Sequence, residues 1–484
     1  MEPNHRCTGD TPADSEERRH EAEGNAVESS ATGTQRLSIA SSGLDRIREA
    51  ARRDATLRFT SLLHHITVEF LGESYRMLRH DASVGIDGET WNSYGKNLSE
   101  RLSDLHVRLH SGAYRALASK RVWIPKSDGG QRPIGIASLE DKIVQKALAR
   151  ILEQIYEVDF LGFSYGYRPE KKAHDALDAV NVMITRRKVS WILDADIKGF
   201  FDTVDHAWLM KFLEHRIGDR RVLRLVGKFL RAGVSEAGQW SRTEVGTPQG
   251  GVLSPLLANI HLHYVLDLWV QHWRGKHARG EVYIVRYADD FVVGFQYRDD
   301  AEKLEHALGQ RLRAFGLQLH PEKTRLIEFG RFANENRRRR GQGKAETFTF
   351  LGMTHYCTVC RRRKWFLLGR KTSGKKLRAK LKEIAQELRR RRHAPTKTVG
   401  AWLRQVMNGH MQYFAVPGNT YAVSSFRAKV VRLWLKSLRR RSQRGRKLTW
   451  ERYEKLIDAW FPKVRVLHPY PAVRFGVIPK AGAV

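Results

Sequence analysis

Apolar residues recur at spacings near three and four from Leu44 onward. Ile47, Ala50, Ala51, Leu57, Leu62, Leu63, Ile66, Phe70 and Leu71 predict helix, and the two glycines of Ser83-Val-Gly-Ile-Asp-Gly88 interrupt it. Leu98, Leu102, Leu105 and Leu109 mark a further helix. Leu139 to Tyr156 is strongly amphipathic, with Ile143, Ala147, Leu148, Ile151, Leu152 and Ile155 on one face. A loop, Phe163-Ser-Tyr-Gly-Tyr-Arg-Pro169, precedes a helix from Ala173 to Ile184. Arg121 to Lys126 and Arg132 to Ile136 read as paired strands around a Ser127-Asp-Gly-Gly130 turn. Trp191, Ile192 and Leu193 form a strand ending in Asp194 and Asp196, which alternation puts on one face. Ile197 to Phe201 turns, and Asp205 is the N-cap of a helix through Leu213. Pro255 to Trp269 is helical. Val282 to Val285 and Phe291 to Phe295 make a hairpin with Asp289 and Asp290 at its turn. Ala301 to Phe315 predicts a helix, Gly316 to Phe329 two short strands, Arg331 to Lys344 a basic loop, and Phe348 to Gly352 a last strand. Beyond it, Leu377, Leu381, Ile384 and Leu388, then Trp402 to Met407, Phe426 to Leu438 and Trp450 to Trp460 carry helical spacing.

Charge changes this picture. The 484 residues are enough for two or three domains, and 86 Lys+Arg against 52 Asp+Glu give +34. Such an excess points to a polyanion, either nucleic acid or an anionic membrane. From Arg361 onward 33 basic residues face 5 acidic ones, a net +28 on a segment that still has helical periodicity. That favours an extended phosphate-binding surface. Residues 1–44 have the opposite balance and few large apolar residues, so they read as a disordered acidic tail. The polar N-terminus is not a signal peptide, and no run of about 18 apolar residues predicts a membrane span. Cys7, Cys357 and Cys360 exclude a disulfide framework and fit a reducing cytosol. Cys357-Thr-Val-Cys360 has zinc spacing without a second pair, so two chance cysteines in a strand or turn are the better reading.

The candidate chemistry lies in the acids. Asp289 and Asp290 sit between buried strands, where adjacent carboxylates repel and lose hydration; a divalent cation would relieve that cost. Two-metal nucleotidyl transfer needs carboxylates from two places in the chain, and the Asp194–Asp196 strand end is a second source. Oxygen-only ligation suits Mg²⁺. Thr243 to Leu256 holds three glycines and two prolines ahead of a helix, a turn that lets backbone N–H groups approach a nucleotide. Lys120, Arg121, Lys126 and Arg132 make the predicted hairpin basic, as solvated edge charge or as phosphate contacts.

Together these stretches resemble a known family. An Asp-bearing strand (Asp196 to Phe201), a Gly-Thr-Pro-Gln-Gly turn (Gly246 to Gly250) and Tyr-Ala-Asp-Asp (Tyr287 to Asp290) come in the order seen in reverse transcriptases of group II introns. Arg132-Pro-Ile-Gly-Ile136, Ser164-Tyr-Gly-Tyr-Arg-Pro169, Leu319-His-Pro-Glu-Lys-Thr324 and Phe350-Leu-Gly352 agree. The resemblance covers residue 45 to the C-terminus. It implies an α+β right-hand polymerase, with fingers and palm of antiparallel sheet and helices, followed by an α-helical thumb and maturase domain. The expected divisions are a tail at 1–44, an N-terminal helical extension at 45–110, fingers and palm at 111–353, and the basic thumb and maturase domain at 354–484. It further implies that Asp196, Asp289 and Asp290 are catalytic and, with the Ile197 carbonyl, hold two Mg²⁺ ions. Phe201 would exclude a 2′-hydroxyl by a clash, and Gln249 and Gly250 would pack on the incoming nucleotide. Lys120 or Arg121, and Arg132, would face the triphosphate. Asp194 has no family role and reads as a solvated or hydrogen-bonded acid.

The implied partners are intron RNA, template RNA, a DNA target or primer, and dNTPs, with no membrane; the implied place is the bacterial cytoplasm, at the nucleoid during insertion. Nothing after His468 carries paired cysteines or a histidine cluster, which resembles the endonuclease-free class. Other readings compete. The intact aspartates oppose a splicing cofactor with a dead polymerase, and Phe201 opposes an RNA-directed RNA polymerase. A reverse transcriptase recruited to host defence would have the same palm; intron RNA domains around the reading frame would separate the two.

Overall fold

The structure is a computed structural model that describes residues 43–125, 130–236, 239–241, 245–247, 250–360, 362 and 364–475. The expected disordered tail, Lys126 with the turn as far as Gly129, and Gln249 lie outside the described residues, apart from Gly43 and Leu44, which open a helix over 43–53. The described strands are β1 (Ser119–Pro125), β2 (Gln131–Ile136), β3 (Trp191–Asp196), β4 (Val234–Glu236), β5 (Gln239–Ser241), β6 (Val282–Tyr287), β7 (Asp290–Phe295), β8 (Arg325–Glu328), β9 (Phe348–Phe350), β10 (Met353–Val359) and β11 (Phe366–Thr372). They form three sheets, ordered β2-β1-β4-β5, β6-β7-β3-β8 and β11-β10-β9. The architecture is α+β.

The β6-β7-β3-β8 sheet is fully antiparallel and covered on both faces. Its strands therefore read as nearly continuous apolar runs. Leu193, Ala195, Phe291, Val293 and Phe295 face a core built with the helices Leu139–Asp159, Ser254–Leu262 and Arg298–Arg313. Ile192, Val285, Val292 and Ile327 face a second core, made with the Ala173–Arg186 helix and with Phe348, Phe350, Met353 and Leu368 of the three-stranded sheet. Leu139–Asp159 starts at Ser138, whose hydroxyl caps Asp141 N–H, and runs buried around most of its circumference. Asp205 caps His206–Glu214 through Trp208 N–H, as the sequence predicts. The helices Gly374–Arg390, Thr396–Phe414, Thr420–Arg439 and Trp450–Trp460 enclose their own core around Trp434.

Several predicted elements differ. The periodicity from Leu44 is not one helix: Asp54 accepts from the Thr56 amide and hydroxyl at 2.7 and 2.6 Å, the first helix ends, and a new one runs Val68–Arg76. The helix predicted to end at Trp269 runs on through a π turn, His263–Asp267, to Lys276. Gly316 to Phe329 yields one strand, β8; the first half forms a single bridge, Ile197 to Leu319. The basic loop contains a helix, Ala333–Arg339, tied down by Asn336 and Arg340 hydrogen bonds to Glu328. β9 is not a last strand, because β10 pairs with it and with β11.

Candidate active site

Asp196 ends β3 and Asp290 opens β7, and the two are register partners. Directly opposed residues of an antiparallel pair project to the same face, so these carboxylates share one end of the sheet. Asp194 lies on that face two residues back. Asp289 and Ala288 form the two-residue turn that joins Tyr287 to Asp290. Ala288 is left-handed, with φ of 57°, as the twist of tight hairpins favours.

Crowded acids disfavour ionisation. Burial pushes the Asp290 carboxyl up to about 7; Asp194, Asp196 and Asp289 add to the rise and the Leu351 amide opposes it. Burial also raises Asp289, with Asp196 adding and Arg132 opposing. Asp194 rises to about 6 through burial, although Arg325 Nη2 stands 3.3 Å from its Oδ2. Asp194 is thus a hydrogen-bonded acid. Lys323 Nζ lies 2.6 Å from Asp196 Oδ2. It is brought there by two backbone bonds of 2.8 Å, His320 N–H to the Asp196 carbonyl and Lys198 N–H to the Gln318 carbonyl. Both bonds pass through residues 196 and 198 and leave the Ile197 carbonyl outside them. Sequence reasoning missed Lys323, although the Leu319-to-Thr324 block contains it.

Phe201 lies half-buried on a short helix, Phe200–Thr203, with its ring edge-on to Phe200. Thr247 N–H donates to the Phe201 carbonyl and Gly246 N–H to the Val204 carbonyl, both at 2.7 Å. A Cβ at Gly246 would stand 2.9 Å from the Phe201 oxygen, so only glycine lets the turn pack so closely. Gly250 is left-handed, with φ of 108°, and a Cβ there would meet the Gly135 oxygen and Ile134 Cγ2 at 2.9 Å. The glycine turn therefore bridges the Phe201 helix and β2. Lys120 pairs with Ile136 and Arg132 with Ile124, which puts Lys120, Ile134 and Arg132 on one face, the face that meets Gly250. Arg121 belongs to the opposite face, where Nη1 is 3.5 Å from Glu236. Arg132 is also near enough to Asp289 to lower its carboxyl.

The donor set is all oxygen, from mutually repelling carboxylates, which suits a hard divalent cation. Among the described residues no three His, Cys, Asp or Glu side chains close a metal cage. Mg²⁺ is commonly held by one or two carboxylates with waters and substrate phosphates, and these residues fit that open arrangement. Cys357 lies in β10, its thiol bonded to the Gly330 carbonyl at 3.5 Å and pushed up to about 11 by burial, which leaves it no thiolate character.

Comparison with known proteins fits this geometry. The family described as reverse transcriptase (RNA-dependent DNA polymerase) matches residues 124–355, a span that contains β3, the glycine turn and the β6–β7 hairpin. Protein YkfC of Escherichia coli is 35% identical over 313 residues, which cover 57% of this chain and 81% of that protein. Group II intron-encoded protein LtrA of Lactococcus lactis is 34% identical over 238 residues, covering 49% of this chain and 39% of LtrA. A putative COX1/OXI3 intron 1 protein of Saccharomyces cerevisiae is 29% identical over 271 residues, 46% of this chain and 32% of that protein. The chain belongs to the group II intron reverse transcriptase and maturase family. It spans well under half the length of LtrA and of the COX1/OXI3 intron 1 protein.

Proposed function

We propose that the chain is an RNA-directed DNA polymerase that binds its intron RNA, assists splicing and copies the intron into DNA during retrohoming. The observation that carries the polymerase is the cross-strand pair Asp196–Asp290 with Asp289 in the adjoining turn. In this reading residues 111–353 are fingers and palm, and 354–484 thumb and maturase. Asp196, Asp289, Asp290 and the Ile197 carbonyl hold two Mg²⁺ ions. Those ions would lower the pKa of a primer 3′-hydroxyl and neutralise a triphosphate. The chain's own residues orient the reactants. Arg132 and Lys120, on the face that meets Gly250, attract the triphosphate, while Arg121 is turned away toward Glu236. Gly250 brings backbone close to the nucleotide, and the Phe201 ring fills the space of a ribonucleotide 2′-hydroxyl. The repulsion that helps to raise Asp289 and Asp290 is one that a cation would relieve.

Primer extension on poly(rA) with dTTP and Mg²⁺ tests this. Wild-type protein is expected to extend the primer, and EDTA to stop it; no extension at any Mg²⁺ concentration would overturn the polymerase reading. Intron binding is supported by the charge of residues 361–484 and by the intron-encoded origin of relatives such as LtrA. Splicing of the cognate intron at low Mg²⁺, with and without protein, is its test.

A further inference from the structure

Arg286 lies on β6, two residues before the turn, and is fully buried. All five of its N–H donors meet acceptors. Nε and Nη2 hold the two oxygens of Asp267 at 2.7 and 2.5 Å. Nη1 donates to Asn259 Oδ1 at 3.0 Å and to the Ala288 carbonyl at 2.9 Å; Nη2 also donates to Ser164 Oγ at 2.7 Å. Asp267 is equally buried and closes the π turn His263–Asp267. That turn matters for geometry. Residues eight apart on a regular helix stand about 80° around the axis, and absorbing one residue brings them to within about 20°. Asn259 and Asp267 can therefore both reach one guanidinium. Arg311 donates to the Tyr264 and Val265 carbonyls, which covers backbone within the π turn. On the other side, Asn259 Nδ2 donates to the Gly166 carbonyl at 2.7 Å, and a Cβ at Gly166 would come 2.3 Å from the Ala288 nitrogen.

We propose that Arg286, Asp267, Asn259 and Gly166 are positioning residues that fix the Asp289 turn. Arg286 grips the Ala288 carbonyl, Gly166 backs its nitrogen, and together they hold Ala288 left-handed and aim the Asp289 carboxylate. The pairing with Asp267 gives the clamp itself no net charge. Lysine could not substitute, because only a planar fork reaches four partners at once. The inference rests on reading Asp289 as a metal-holding acid.

The rival explanation is that the pair merely stabilises the core. Buried ion pairs replaced by apolar residues of similar volume often leave stability unchanged or improved. The test uses the full chain carrying Arg286→Met with Asp267→Leu, compared with wild type, Gly166→Ala and Asp289→Ala. Thermal melting, Mn²⁺ affinity by electron paramagnetic resonance with primer–template bound, and kcat and KM for dTTP are measured. The double variant is expected to melt below wild type, because Asn259, Ala288 and Ser164 lose a buried donor, yet to stay folded, bind Mn²⁺ at least about tenfold more weakly and lose at least about tenfold in kcat with KM within about twofold. Gly166→Ala, which leaves the ion pair intact, is expected to show the same split. Wild-type Mn²⁺ affinity and kcat in either folded variant would overturn the positioning role. If Asp289→Ala itself still polymerises, the reading of the acids falls, and this role with it.

Discussion

Asp289 bears an unfavourable charge in the metal-free protein, since burial and Asp196 both raise its carboxyl. Asp289→Ala should therefore abolish primer extension while leaving the melting temperature unchanged or higher; extension at the wild-type rate would remove Asp289 from the site. Phe201→Val opens space beside the sugar, and the ratio of rNTP to dNTP incorporation should rise; an unchanged ratio would count against the steric gate. The buried histidines give a pH dependence. Burial holds His261, His263 and His410 near 4 and His355 near 3, against 6.5 when exposed. Between those values the unfolded chain binds more protons at these histidines than the folded one, so their contribution to stability should fall as pH drops below about 6.5, against the opposite contribution of the raised Asp194 and Asp290. Urea unfolding at two pH values checks this, and His261→Leu should reduce the pH-dependent loss. At this scale the acids were legible, because two carboxylates next to apolar strands break a pattern. Lys323 and Arg286 were not, because a lysine near a turn and an arginine in a strand look alike whether exposed or paired.

At the scale of elements, β3, the β6–β7 hairpin and the long helix Leu139–Asp159 could be read because their periods are clean. The π turn could not, since inserting one residue leaves an apolar helical pattern nearly unchanged. The helix at Ala333–Arg339 is almost wholly polar and depends on tertiary bonds to Glu328. β10 and β11 lie within or beside basic sequence, where charge hides alternation. This bears on any attempt to remove the basic helices. A chain cut after Gly352 would keep β9 and lose β10, its pairing strand, with β11 beyond it, so Phe348 and Phe350 would be stripped of cover. A cut after Ser373 keeps the sheet. The expected result is a folded truncation whose RNA affinity depends less steeply on salt than that of the full chain, measured as the slope of log affinity against log salt. An equal slope would mean that the helices are not the main phosphate surface.

Across the whole molecule, charge and chemistry are separated along the chain, with the acids between residues 194 and 290 and most of the net charge beyond 360. Separable losses should follow. Lys375, Arg378 and Lys382 are exposed along one face of the Gly374–Arg390 helix. Reversing all three to Glu should weaken intron binding and splicing more than extension of a short generic template, at matched ionic strength. They make a cleaner set than Arg439 and Arg441, which also hold the Leu448, Thr396 and His393 positions. Asp289→Ala with Asp290→Ala should do the reverse, losing DNA synthesis and keeping splicing; proportional loss of both would show that the acid site itself holds the intron. The order of the β6-β7-β3-β8 sheet has a further consequence, for synthesis on the ribosome. β3 is made first, yet its neighbours β7 and β8 emerge only about a hundred residues later. Meanwhile it is an apolar ribbon with two bare edges, the kind of segment that pairs with other nascent chains. Asp194 and Asp196 are the charges on that ribbon, and charges within an apolar segment oppose such pairing. Valine at both positions should therefore lower the soluble yield of newly made protein, beyond any loss of activity.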